Sequence, residues 1–191
     1  MKAVGTLGVV LALISAVPVW AAPERYLLQA EASRVAFSAP SDGQPITGTF
    51  PIRSASVVID VEKPARSQID VTLNVAGVKA SSLLAAEAMR GESVLATRRF
   101  PEARFVSESV RGDPSAVEVG GQLTLRGVTR PVVLRGRILR QSGAAEDDFS
   151  RLTVALRGQV SRSAFGADGW AGMVGDVITL DILARIQRAG G

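Results

Sequence analysis

The stretch Leu123-Thr124-Leu125-Arg126-Gly127-Val128-Thr129-Arg130-Pro131-Val132 decides how this chain folds. It joins two alternating patterns through a turn that contains Gly127. Ahead of the turn, Val117, Val119, Leu123 and Leu125 recur on one side of Ala116 to Leu125. Beyond it, Val132, Leu134 and Ile138 recur on one side of Pro131 to Ile138, opposed by Arg135 and Arg137. Successive side chains of a strand point to opposite faces. A period of two therefore puts one face in an apolar interior and the other in water.

The same rhythm runs outward in both directions. Ser67 to Val75 is the cleanest case, with Ile69, Val71, Leu73 and Val75 on one side and Asp70, Thr72 and Asn74 on the other. Ala55 to Val61 repeats it with Val57, Ile59 and Val61. Leu152 to Val160 sets Leu152, Val154, Leu156 and Val160 against Arg157 and Gln159. Val177 to Ile186 sets Ile178, Leu180, Ile182 and Ile186 against Thr179, Asp181 and Arg185. Further strands fall around Leu27 to Ser38, Ile46 to Arg53 and Ala103 to Val110. About eight short strands, broken by Gly, Pro, Ser or Asp and without βαβ spacing, make an all-β protein: a closed antiparallel β-barrel or a sandwich. Gly121, Gly136 and Gly158 interrupt apolar faces. They either permit the bends that close a barrel or leave room in its lumen for a ligand.

One segment breaks the rhythm. Ser81 to Ala96 is rich in Ala, Leu, Glu and Met, which favour helix. Ser81 is a candidate N-cap, and Gly91 divides the segment into two short turns. Leu83, Leu84 and Met89 then either cover a barrel mouth as a lid or plug one end of the core. Trp170 and Met173, in a Gly-rich loop, are candidates for the same mouth.

The first residues form a separate unit. Lys2 precedes an apolar or small run from Val4 to Val17, Pro18 breaks it, and Val19-Trp20-Ala21 satisfies the small-residue rule for cleavage. Residues 1–21 read as a secretory signal peptide, leaving 22–191 as one exported domain in the periplasm. The apolar run is short of the roughly 18 residues that suggest a membrane-spanning helix. With no cysteine, the chain tolerates an oxidising compartment without using it.

Composition excludes several functions. The chain has no histidine and no cysteine. That removes most metal sites, Ser-His-Asp catalysis and cysteine nucleophiles together. No nucleophile elbow, phosphate loop or dinucleotide fingerprint occurs. The acids Glu87, Glu92, Asp113, Glu118 and Asp176 are scattered. The expectation is a protein that is not an enzyme and uses no catalytic residue, metal or resident cofactor. The net charge of +4 is spread along the chain, with no basic stripe interleaved with stacking aromatics, so no nucleic-acid partner is expected. Arg98, Arg99, Arg104, Arg126 and Arg130 lie near strand ends. They either grip an anionic headgroup at the mouth or solubilise the surface.

What remains is the apolar interior. An eight-stranded barrel is just wide enough to fill with side chains or to hold one small ligand. Parity puts Phe37, Ile59, Ile69, Val71, Leu73, Phe105, Leu123, Leu125, Leu134, Leu156 and Phe165 in the lumen. A register error of one residue would invert a strand's whole set. Two rivals make other demands. A protein-interaction module would have a filled core and an exposed apolar patch. A hydrolase of envelope lipids would bring two carboxylates together in a pocket.

The Leu123 to Val132 passage resembles the LTIRGVTKPV-type signature of the YceI family. Phe100-Pro101-Glu102-Ala103-Arg104-Phe105 is similar to that family's FP-x-x-x-F element. Arg162, Phe165-Gly166 and Gly175-Asp176-Val177 fit its ending, and Tyr26 to Phe37 fits its opening through Ser33 and Phe37. Gln29 stands where an acid is usual and Ala32 where a histidine is frequent. The resemblance implies a lipocalin-like barrel, exported to the periplasm. It implies a soluble carrier whose lumen holds an isoprenoid lipid, either a polyprenyl chain or an isoprenoid quinone. Transient contact with a membrane surface is compatible with this reading, as is a homodimer.

Overall fold

A computed structural model describes residues 23–145 and 147–190. The proposed signal peptide lies outside these residues. Eleven strands are described: β1 (Glu24–Leu28), β2 (Arg34–Ala39), β3 (Ile46–Phe50), β4 (Ile52–Ile59), β5 (Gln68–Asn74), β6 (Lys79–Ala80), β7 (Glu102–Asp113), β8 (Ala116–Leu125), β9 (Val128–Arg140), β10 (Arg151–Ser161) and β11 (Val177–Arg188). One helix, α1 (Leu83–Arg90), interrupts them.

The strands form one antiparallel sheet closed by the pairing of β1 with β11. The eleven segments occupy eight positions around the ring. The difference of three is two broken strands and the short β6. β1 and β2 lie end to end along β11, separated by a 3-10 turn at Ala30–Ala32. β3 and β4 are likewise interrupted only at Pro51, which has no amide hydrogen to give the ladder. β6 is a two-residue addition to β3. Every described pairing that closes the ring lies within residues 24–188. Closure removes the free edges that would otherwise recruit other strands.

The turn in the Leu123 to Val132 stretch is a two-residue hairpin. Leu125 pairs with Val128, and Arg126 and Gly127 both have positive φ, 53° and 74°. Such turns match the twist of the strands they join. Arg126 takes this conformation without being glycine. Its guanidinium donates to the carbonyls of Glu92 and Val94, both at 2.7 Å, which tie the hairpin to the segment after α1.

The helix begins one residue later than the sequence suggests. Ser82, not Ser81, is the N-cap, and its Oγ accepts from the Ala85 amide at 3.1 Å. The Ser81 amide is occupied by the Thr47 carbonyl at 2.7 Å. Gly91 ends the helix, and turns follow it as far as residue 99.

The outer wall carries cross-strand ion pairs: Arg104 with Asp70, Arg135 with Glu118 and Arg157 with Asp181. All are exposed, and such pairs contribute ~1 kcal/mol or less each. Inside, the apolar faces meet. One buried cluster, of Tyr26, Val57, Ile59, Leu152 and Ile186, fills one end, where the Tyr26 hydroxyl donates to the Phe149 carbonyl at 2.9 Å. Burial pushes the Tyr26 phenol up, so it stays protonated.

The inward glycines settle the two sequence readings in favour of close packing. A Cβ on Gly48 would stand 2.1 Å from the Lys79 carbonyl and 2.6 Å from the Phe37 ring, which lies across it from the neighbouring strand. At Gly121 the Phe105 ring does the same, at 2.7 Å. These glycines make room for neighbouring rings and backbone. Gly48→Val should therefore destabilise the barrel by about 1–3 kcal/mol, the usual range for overpacking. Thermal unfolding followed by circular dichroism should show a lower midpoint for it, while Gly43→Ala, at a position with nothing within 4 Å, should leave the midpoint unchanged.

Candidate functional site

The inward faces of the strands enclose a cavity of about 610 Å³. Ligand sites typically run to about 300–1,000 Å³, so the space is of the right size for one. Its walls are almost wholly hydrocarbon. Ten of the eleven residues that parity assigns to the lumen line it: Phe37, Ile59, Ile69, Val71, Leu73, Phe105, Leu123, Leu125, Leu134 and Leu156. Val35, Val154, Leu180 and Ile182 line it as well.

Phe165 is the exception. It is only 2% exposed but lies in the 3-10 turn Ser163–Phe165 and is not part of the cavity wall. The chain has left β10 by this point, so the two-residue parity no longer says where a side chain points.

The mouth lies where Ser41, Asp42 and Gly43 face Leu84, Ala85 and Met89 of α1, with Trp170 and Met173 alongside. Leu84, Trp170 and Met173 touch the cavity and are also exposed, at 82%, 51% and 55%. Leu83 does not line the cavity and is 85% exposed. Adjacent residues of a helix do not share a face, so Leu83 and Leu84 cannot both look inward. Ala86 is the buried anchor of α1. The helix is held further by Arg90, which donates to the carbonyls of Ala76 and Val78, both at 3.0 Å.

Hydrogen bonds link the loops of the rim. The Asp42 amide donates to the Met173 carbonyl at 3.2 Å, the Gly175 amide to Pro40 at 2.8 Å and the Gly169 amide to Ser93 at 2.8 Å. At their centre is Arg162, 9% exposed. Its guanidinium donates to Ala167 at 2.5 Å, Gly169 at 2.6 Å, Val174 at 2.9 Å and Gly175 at 3.1 Å. Four carbonyls turn one side chain into the frame of the 162–176 loop. Asp176 closes it, accepting from the Ser163 amide at 2.9 Å. Hydrogen bonds from Ser161 and Ser163, with a smaller contribution from the Arg162 charge, hold its carboxyl below the usual range.

The arginines singled out in the sequence do not converge on the mouth. Arg104 is on the outer wall with Asp70. Arg126 clamps the segment after α1. Arg130 donates to the Ala164 carbonyl at 3.3 Å, Arg98 lies 3.8 Å from Glu92 and Arg99 lies over the Phe100 ring. Arg162 is the guanidinium that reaches the cavity wall among the described residues. Only its place in the family-like ending distinguishes it in the sequence, because its partners are carbonyls of a loop with no pattern of its own. A shallower depression beside the mouth shares Asp42 and Arg162 and adds Asp168 and Asp176. No group of three or more potential metal ligands occurs among the described residues.

The arrangement is that of a small-molecule binding barrel: a closed ring, an apolar lumen and one framed mouth. The chain matches the YceI-like domain over residues 26–186 and belongs to that family. Protein YceI of Escherichia coli O157:H7 is 33% identical over 94 residues, 49% of either chain, so this chain spans about half the length of the curated relatives it matches. Among solved structures, BcnA of Burkholderia cenocepacia superposes with a TM-score of 0.74 at 20% identity, covering 83% of this chain and 98% of that one. A polyisoprenoid binding domain from Saccharophagus degradans gives 0.64 at 15% identity, covering 87% and 99%. These two likenesses show the shared fold.

Two outcomes follow for the rim. Arg162→Met should cost about 3 kcal/mol or more in urea unfolding, since each buried polar group left unpaired costs roughly 1–3 kcal/mol. Arg162→Lys should recover part of the loss, having fewer donors and no planar fork. The pH response is fixed in sign. A depressed carboxyl such as Asp176 stabilises the fold above its unfolded pKa of about 3.9, and this is lost as pH falls through the lower folded value. With no histidine present, Trp170 emission should stay constant from pH 8 to 5 and change only below about pH 4.

Proposed function

We propose that this protein is a soluble carrier or sequestering protein for an isoprenoid lipid, which it holds by the hydrocarbon tail inside the barrel. One observation carries the reading: a lumen of about 610 Å³ walled mainly by Val, Leu, Ile and Phe, with the exposed Leu84, Trp170 and Met173 among its lining. Each buried methylene contributes roughly 0.8 kcal/mol, so a long prenyl chain has ample gross driving force. Ordering the chain takes part of that back. The polyisoprenoid-binding domain of Saccharophagus degradans shares the fold and supports the choice of ligand class. The signal-peptide pattern of residues 1–21 supports the periplasm as its place of action.

The mouth favours a neutral head. Arg162 already spends four donors on backbone carbonyls, and Asp42 brings a negative charge to the rim. A diphosphate needs converging cations; a quinone needs only a few neutral polar partners. An isoprenoid quinone is therefore the better fit of the two ligand types. The same walls support a binding role, since they offer hydrocarbon to a lipid tail.

Native mass spectrometry of protein purified without detergent should show an adduct that extracts into organic solvent with the mass of an isoprenoid lipid. Absence of any such mass, with no uptake of added isoprenoid quinone, would refute the proposal. Val71→Phe combined with Ala184→Phe fills lumen space from two walls. That variant should keep or raise the unfolding midpoint and lose at least tenfold in quinone affinity, read by tryptophan fluorescence titration.

A further inference from the structure

We propose that the rim formed by Leu83, Leu84, Trp170 and Met173 docks on a lipid bilayer, so that the ligand passes between membrane and lumen without crossing water. The inference rests on the carrier reading and adds the surface through which the carrier is loaded.

The exposed apolar residues are unevenly placed. Among the described residues the large exposed hydrophobics are Leu27, Leu83, Leu84, Val106, Val133, Leu139, Trp170, Met173 and Val177. Five of these are distributed over four strands, β1, β7, β9 and β11, as single exposed apolar residues commonly are. The other four sit on two segments at the mouth, and three of them also line the cavity. The apolar surface is thus continuous from outside the rim to the lumen wall.

The protein holds these side chains out. The Ser82 cap, the buried Ala86 and the two Arg90 hydrogen bonds fix α1 with both leucines at its exposed start. Trp170 has φ of 62°, a left-handed conformation unfavourable for a tryptophan. Its carbonyl accepts from the amides of Met173 at 3.0 Å and Val174 at 3.1 Å, and the loop is framed by Arg162. A tryptophan kept on a rigid rim suits the interface between headgroups and acyl chains, which accepts its apolar body and its polar N–H together.

Charge and ligand chemistry select the bilayer over other occupants. Beside the rim, Glu87 pairs with Arg90 at 2.5 Å and Glu92 lies 3.8 Å from Arg98, while Asp42 and Asp168 add negative charge that disfavours an anionic partner. A long prenyl chain has negligible solubility in water, so its source and destination are bilayers. An apolar rim around the opening of an apolar lumen, with Asp42 as a charge at its edge, fits an uncharged lipid surface, and docking through its apolar side chains should be nearly insensitive to salt.

The test uses the chain from Ala22 onward, whose barrel closes within residues 24–188. Trp170 is its single tryptophan, since the other, Trp20, precedes it. Phosphatidylcholine vesicles should shift Trp170 emission to the blue, and bromine on the acyl chains should quench it, equally at low and high salt. Leu83→Ser with Leu84→Ser should weaken vesicle partitioning and slow quinone transfer to vesicles, each at least tenfold. Leu83→Ser alone, at a residue off the cavity wall, should also weaken vesicle partitioning, and its uptake of a short, water-soluble prenyl analogue in vesicle-free buffer should be unchanged. No blue shift and no quenching would overturn the proposal, as would a dimer in sedimentation that the two serines convert to monomer. If the analogue binds and the vesicles do not, docking fails and the carrier reading stands. If vesicles bind and the analogue does not, the carrier reading fails and the docking surface stands.

Discussion

The structure depends on a mismatch between the circumference of its strand ring and the volume of the side chains inside it. Eight strand positions close through β1 and β11, and once closed the ring cannot shrink onto its contents. Unfilled apolar volume costs about 24 cal/mol per Å³ in mutational series. Over the lumen's 610 Å³ that is on the order of 10 kcal/mol, comparable to the ~5–15 kcal/mol net stability of a whole domain. Larger side chains at Val71 or Ala184 would reduce the deficit. A wall that keeps small and branched residues facing the centre leaves a wide apolar lumen, the feature on which the carrier proposal rests.

The same constraint explains where polar chemistry sits. Charges have no place in the lumen, so Arg104, Arg135 and Arg157 pair with carboxylates on the outer wall, and Arg126 and Arg162 are spent on backbone carbonyls. Arg126 and Arg162 do related work on neighbouring segments, a Cβ on Gly166 of the 162–176 loop standing only 3.8 Å from Arg126 Nε. One reaches from a hairpin to fix the segment after α1; the other gathers the 162–176 loop. Between them they frame an opening whose shape depends little on solvent charge. The mouth, though made of loops, is held by buried or bifurcated hydrogen bonds of the kind that resist local opening.

Much of this was legible in the sequence, for a physical reason. Period-two alternation survives wherever a strand has one dry and one wet face, so ten of the assigned lumen residues fall on the cavity wall. The Leu123 to Val132 passage located a hairpin because Gly127 sits between two such patterns. Legibility stops where the backbone leaves the strand. Phe165 follows the last residue of β10, and its burial carries no parity. Leu83 is beside Leu84 in sequence but about 100° away around the helix. The arginines were the least legible, since a side chain that serves carbonyls of distant loops leaves no pattern of partner residues. The eight ring positions were visible; the 3-10 turn that splits β1 from β2 was not, because it barely disturbs the alternation on either side, and the break between β3 and β4 was read near residue 54 rather than at Pro51.

The most direct test of the central claim is to ask which methyl groups touch the ligand. Isoleucine, leucine and valine methyls would be labelled and intermolecular NOEs recorded with a long-chain isoprenoid quinone. The account predicts contacts from the prenyl protons to Ile69, Leu123, Val154 and Ile182, on opposite walls of the lumen. Contacts confined to Leu27, Val133 and Leu139 on the outer surface, or none with ligand in excess, would contradict it.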